Sequence, residues 1–159
     1  MKPDTFAITP RLEVALRLML DAHAGQADNS GQPYILHCLR VGLACAPNED
    51  AMIVGLLHDA IEDSSRPADI HRVIGRLLGT YILARVMDLT KCANEPYVDY
   101  INRIKARGGI SITVKLADLY DNLNIRRLQL ASDKGHDVAL LVRKYTRAVA
   151  ILTDSQKIF

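Results

Sequence analysis

Apolar positions recur every three or four residues along most of the chain, the spacing of a buried face on an α-helix. Thr9-Pro10 reads as a cap followed by a first-turn proline, and Leu12, Ala15, Leu16, Met19 and Leu20 continue as a helical stripe. Residues 25–33 hold two glycines, Asp28, Asn29, Ser30 and Pro33, and predict a loop. A second helix is expected from about Tyr34 to Cys45, ended by Pro47-Asn48, and a third from about Glu49 to Ala60. A turn at Ser64 to Pro67 leads into helices over Pro67 to about Leu77 and Thr80 to about Leu89. After a Cys92 to Pro96 loop, the pattern predicts a helix from about Tyr97 to Ala106 and a hinge at Gly108-Gly109. A long helix from about Ser111 to Leu130 follows, then a last one from about Lys134 to Thr153. In that last helix Val138, Leu141, Val142, Tyr145, Val149 and Leu152 face inward and Arg143, Lys144 and Arg147 outward, as in a scaffold element. No run alternates with period two for long enough to predict a sheet. The expected fold is all-α, a single domain over residues 1–159.

Polar groups interrupt this pattern at two places where burial is expected. The apolar run Ala51 to Leu57 is too short to cross a membrane and passes directly into His58-Asp59-Ala60-Ile61-Glu62-Asp63. A carboxylate buried without a partner costs several kcal/mol, roughly, so it is normally paired or bound to a metal. If the stretch is helical, His58 and Glu62 share one face, and Asp59 and Asp63 share the neighbouring one. Asp118 and Asn122 likewise interrupt an apolar stripe that holds Val114 and Ile125. Upstream, Tyr34-Ile35-Leu36-His37 puts a histidine near a helix start. Two histidines and two aspartates make a mixed nitrogen/oxygen donor set without thiolate, suited to Mn²⁺, Fe²⁺, Ni²⁺ or Zn²⁺.

These three elements resemble the HD superfamily of metal-dependent phosphohydrolases, and within it the RelA/SpoT hydrolase domain and the small alarmone hydrolases. Tyr34 to His37 matches a Tyr-Ile-x-His element, Leu56 to Asp63 a Leu-Leu-His-Asp-x-x-Glu-Asp element, and Lys115 to Asn122 a Lys-Leu-Ala-Asp-x-x-x-Asn element. The match runs in order from about Ala22 to Leu128. The resemblance implies an HD-domain helical bundle holding one divalent ion on His37, His58, Asp59 and Asp118. Mn²⁺ is favoured, with Fe²⁺, Ni²⁺, Zn²⁺ or Mg²⁺ as alternatives. It implies Glu62 and Asp63 as the catalytic pair, and Asn122, Lys115, Asp121 and Arg103 on the substrate side. The implied activity is hydrolysis of a phosphoester or pyrophosphate bond of a nucleotide, like that of a guanosine 3′,5′-bis(diphosphate) 3′-pyrophosphohydrolase. The alternatives are a nucleotide phosphomonoesterase on the same scaffold and a non-catalytic nucleotide-binding module.

The chain departs from the family pattern at charged positions. Asp28 stands in a loop where basic residues are expected, and Leu119 and Asp121 stand where an arginine and a histidine are expected. Both changes strip positive charge, so slower turnover of a highly anionic alarmone and a preference for a smaller or less charged substrate are expected, unless Asp121 recruits a second cation. Lys91, Arg126 and Arg127 join Lys115 and Arg103 as candidates for phosphate contact, and Tyr97 and Tyr100 as candidates to line the pocket.

A formal net charge of +2 gives no strong pull toward nucleic acid or membrane, and no basic stripe is interleaved with aromatics. The expected partner is a small phosphorylated molecule, and self-association is left open. Cys38, Cys45 and Cys92 form no CxxC pair, which predicts buried thiols in a reducing compartment. Met1 to Thr5 is followed by no apolar signal region, so the expected location is the cytoplasm.

Overall fold

The computed structural model describes residues 8–154. Over these the chain forms α1 (Pro10–Ala22), α2 (Tyr34–Ala44), α3 (Glu49–Leu57), α4 (Pro67–Leu77), α5 (Thr80–Leu89), α6 (Tyr97–Arg107), α7 (Gly109–Asn122), α8 (Ile125–Asp133) and α9 (Val138–Thr153). Among the described residues the extended pairing is one isolated bridge between Ala27 and Pro33, so the expected all-α architecture holds. The expectation about Met1 to Thr5 lies outside the described residues.

Side chains outside the helices start several of them. Thr9 accepts from the Leu12 amide at 3.1 Å, Asn48 from Ala51 at 3.0 Å and Asp137 from Leu140 at 2.9 Å. Each satisfies one of the four amides a helix N-terminus leaves unpaired.

The centre of the fold is α3. Ala51 to Leu57 are all buried, and the helix packs against α1, α2, α5 and α7. A helix apolar on every side belongs in the middle of a bundle. Its crossing with α2 is close because Gly42 and Gly55 meet there. A Cβ on Gly55 would lie 3.0 Å from the Gly42 Cα, and one on Gly42 would lie 2.8 Å from Leu56 Cγ. This approach brings His37 of α2 and His58, the residue after α3, into one neighbourhood, with ring centroids 5.2 Å apart.

The structure corrects three element boundaries. The third helix ends at Leu57, and His58 to Glu62 form tight turns instead of a further helical turn. The expected long helix is two: Leu123 ends α7 and Asn124 caps α8, accepting from the Arg126 amide at 3.0 Å. The last helix starts at Val138. The thiols also differ from expectation, since Cys38 and Cys45 are buried but Cys92 is exposed. No described helix is long and apolar enough to cross a membrane.

Candidate metal centre

One ligand-competent atom from each of His37, His58 and Asp59 lies within 4.8 Å of the other two. Asp118 comes up from α7, its Oδ1 3.3 Å from His37 Nε2 and 3.8 Å from His58 Nε2. Asp118 stands slightly apart because its own side of α7 holds it: Lys115 Nζ donates to Oδ2 at 2.7 Å and Asn122 Nδ2 to Oδ1 at 2.6 Å. Both histidines, Lys115 and Asp118 are buried.

The two histidines present Nε2 inward. His58 Nδ1 lies 2.8 Å from the Gly55 carbonyl, which can only accept, so Nδ1 carries the proton. His58 Nε2 is then buried with no hydrogen-bond partner among the described residues, although Asp59 Oδ2 lies only 2.9 Å away. An unprotonated Nε2 and a carboxylate oxygen that close would repel. A cation between them, or a second proton on the ring, removes the conflict. The donor chemistry therefore fits a divalent ion held by His37, His58, Asp59 and Asp118. Without the ion, protons take its place: burial works against a charged His37, but hydrogen bonds to Asp118 and Asp121 outweigh it and raise the ring to about 9. His58 is raised against its burial by the Asp59 charge, and Asp118 is held well below the carboxylate range by Lys115.

Beside this cluster opens a cavity of about 480 Å³. Asp59, Asp118, Glu62, Asp63 and Asn122 line one side of it, together with Tyr34, which donates to Asp59 Oδ2. Glu62 Oε2 accepts from the Lys91 amide at 2.8 Å, which fixes the carboxylate at the rim. Burial, and then the nearby Asp59 and Glu62 charges, push Asp63 up to about 6. Lys91, Lys115, Lys144 and Arg127 also line the cavity, with Tyr97, Tyr100 and Tyr145 between them.

Of the residues expected on the substrate side, Asn122 and Lys115 line this cavity; Arg103 and Asp121 do not. Arg103 is consumed elsewhere, donating to both Glu95 carboxylate oxygens and to the Asp88 and Thr90 carbonyls at 2.7–3.0 Å. Asp121 turns toward α2, where His37 and Arg40 take its oxygens. Asp28 lines the cavity wall, but its side chain is 2% exposed. It accepts from the Ser30 amide, the Ser30 hydroxyl and the Gln32 amide on Oδ1, and from Arg127 on Oδ2, so it organises its own loop. The expected loss of positive charge is thus offset: Asp28 and Asp121 are both paired with Arg127.

Lys144 and Tyr145 carry no motif and sit on the helix expected to be scaffold. Lys144 Nζ lies 4.4 Å from the Tyr97 ring centre. Only the packing of α9 against α6 and α7 brings that face to the cavity.

No protein-family model matches the chain. A segment of 72 residues, 42% of the chain, is 38% identical to the bifunctional (p)ppGpp synthase/hydrolase SpoT of Escherichia coli strain K12, of which it covers 10%. Another of 53 residues, 31% of the chain, is 40% identical to a putative chloroplastic GTP diphosphokinase RSH1 of Oryza sativa subsp. japonica, of which it covers 6%. The chain thus spans about a tenth or less of the length of these curated relatives. Among solved structures, a metazoan ortholog of SpoT, described as hydrolysing ppGpp, superimposes with a TM-score of 0.63 at 18% identity, covering 98% of this chain and all of that one. That likeness establishes the fold, an all-α helical bundle.

Proposed function

We propose that this chain is a metal-dependent phosphohydrolase that releases pyrophosphate from a guanosine 3′,5′-bis(diphosphate)-like nucleotide. The observation that carries the proposal is the buried, unpartnered His58 Nε2 set against Asp59, with a further histidine and aspartate alongside, at the edge of a cavity holding both acids and cations. The likeness to a ppGpp-hydrolysing ortholog and to SpoT supports the substrate class. The cavity volume of about 480 Å³ lies in the range that small-molecule sites occupy.

His37, His58, Asp59 and Asp118 would hold the ion, with Mn²⁺ favoured. Bound there, it would lower the pKa of a coordinated water and offset charge on the attacked phosphate. The remaining chemistry falls to the chain. In hydrolysis a water oxygen bonds phosphorus, the phosphorus–oxygen bond to the leaving group breaks, the water loses a proton and the leaving oxygen gains one. Glu62 and Asp63 line the cavity and are suited to take and return that proton. Burial, the first cause of the upward shift at Asp63, makes that carboxylate readier to take a proton. Lys91, Lys115 and Lys144 are suited to phosphate oxygens, and the tyrosines beside them to the base or ribose faces, while Arg127 is taken up by Asp28 and Asp121. The free thiols of Cys38, Cys45 and Cys92 fit the reducing cytoplasm in which this reading places the enzyme.

A screen of Mn²⁺-loaded protein against guanosine and adenosine nucleotides tests the proposal, scoring pyrophosphate separately from orthophosphate. Equimolar pyrophosphate and guanosine 5′-diphosphate from the bis(diphosphate) are expected. Orthophosphate alone would indicate a phosphomonoesterase, and binding without either product a non-catalytic module.

A further inference from the structure

Asp121 lies three residues after Asp118 on α7, yet it faces away from the cavity. Its carboxylate is 9% exposed and meets three cationic or proton-bearing groups. His37 Nδ1 lies 2.6 Å from Oδ2. Arg40, one turn after His37 on α2, donates Nε to Oδ1 at 2.6 Å and Nη2 to Oδ2 at 3.1 Å. Arg127 of α8 donates Nη1 to Oδ2, and its Nη2 donates to Asp28 at 3.0 Å. With a guanidinium on either side, the carboxylate is ionised and can only accept. His37 Nδ1 therefore carries a proton, and Nε2 is the atom turned toward Asp118 and His58. Arg127 Nη1 also lies 3.3 Å from His37 Nδ1, but both are donors, so the shared Asp121 oxygen is what joins them.

We propose that Asp121 is a positioning residue for His37: it fixes the ring orientation and tautomer that leave Nε2 available to a divalent cation, and Arg40 and Arg127 hold it in place. This rests on the metal reading of the site but adds a residue outside the ligand set and outside the cavity. Carboxylates in this relation to a ligating histidine commonly contribute about 10–100-fold in metal affinity. The same geometry reassigns Asp121 from the substrate side. Its charge is compensated by two arginines, so it neither repels an anionic substrate nor is free to recruit a second cation.

Calorimetric titration of metal-free protein with Mn²⁺ tests this, comparing wild type, Asp121→Asn and Asp121→Ala, with metal-free thermal unfolding measured in parallel. Asp121→Ala is expected to bind Mn²⁺ about 10–100-fold more weakly. Asp121→Asn, which keeps an accepting oxygen of the same shape, should fall between it and wild type. Nitrogen-15 spectra of metal-free protein, recorded at a pH high enough to leave the His37 ring neutral, should show Nδ1 protonated in wild type and Asp121→Asn and a shift of the proton toward Nε2 in Asp121→Ala. Equal Mn²⁺ affinity in all three proteins would overturn the positioning role while leaving the metal site standing. Wild type that takes up no Mn²⁺ would overturn the metal reading, and the positioning role with it.

Discussion

Lys115 and Asp118 form a buried ion pair on one face of α7, with 2.7 Å between Nζ and Oδ2. Lys115 also lies over the Tyr100 ring, 5.0 Å from its centre. Asp118 sits at the expected metal centre, so Lys115 does two things: it keeps the carboxylate ionised and it occupies the oxygen facing away from the histidines. Lys115→Met keeps the stem and removes the charge. Removing one partner of a buried pair typically costs about 3–5 kcal/mol, and urea unfolding of the metal-free variant should show a loss of that order. Added Mn²⁺ should recover more stability in the variant than in wild type, because a cation then returns to Asp118. A loss under about 1 kcal/mol would mean that the pair is not needed for folding.

Glu62 is expected to separate metal binding from turnover. Glu62→Gln keeps the shape and the hydrogen bond from the Lys91 amide but removes a proton acceptor. It should bind Mn²⁺ like wild type while kcat falls by about 10²–10⁴, the usual contribution of a general acid–base group. His58→Ala should lose metal and turnover together. Wild-type turnover by Glu62→Gln would remove Glu62 from the chemistry.

Arg103 is expected to matter for stability and not for catalysis. The Arg103 hydrogen bond is the main cause that pulls the Glu95 carboxyl down to about 2, against the opposing effect of burial. A carboxylate depressed in the folded state stabilises it above the unfolded pKa, and that contribution is lost as pH falls through the folded pKa. Arg103→Leu should therefore be less stable than wild type at pH 7, by about 1.5–3 kcal/mol for a charged hydrogen-bonded pair. The gap should shrink as pH falls from about 4.5 to about 2, leaving only the part due to the lost Asp88 and Thr90 carbonyl contacts, as read from unfolding midpoints across that range. Its KM should stay unchanged. A raised KM at full stability would return Arg103 to the substrate side.

The close approach of α2 and α3 links the fold to the site. Gly55→Ala puts a methyl 3.0 Å from the Gly42 backbone. Overpacking of this kind costs about 1–3 kcal/mol, partly offset by about 1 kcal/mol of helix propensity. A net loss of stability is expected, together with weaker Mn²⁺ binding because His37 and His58 are pushed apart. Both are read by thermal unfolding with and without the metal, and an unchanged metal-induced shift would show that the site tolerates the displacement.

The helical periodicity was enough to place most elements, because each buried face repeats every three to four residues. It could not place the break at Leu123-Asn124. Apolar residues continue in helical register across it, and the cap that starts α8 is a single side chain. The break matters for the site. In one continuous helix, residues six apart lie about 240° around the axis and about 9 Å along it, so Arg127 could not reach Asp121. The turn changes the chain direction and lets Arg127 join Asp121 to Asp28. Sequence position alone read those two acids as repulsive, because their partners lie on other elements. His37, His58, Asp59 and Asp118 stand out in the sequence because ionisable side chains within or beside apolar segments are conspicuous, and the fold brings them close together. Lys144 does not, since an outward lysine on an amphipathic helix looks the same whether it faces solvent or a cavity.

We propose a single catalytic role for one divalent ion on His37, His58, Asp59 and Asp118: it drives hydrolysis of a nucleotide pyrophosphate. Its most direct test is a titration of metal-free protein with Mn²⁺ while pyrophosphate release from guanosine 3′,5′-bis(diphosphate) is followed. Turnover should start near zero, rise in proportion to added metal and level off at one ion per chain, and His58→Ala should stay flat throughout. Turnover that is unaffected by chelation, or that His58→Ala retains, would contradict the claim.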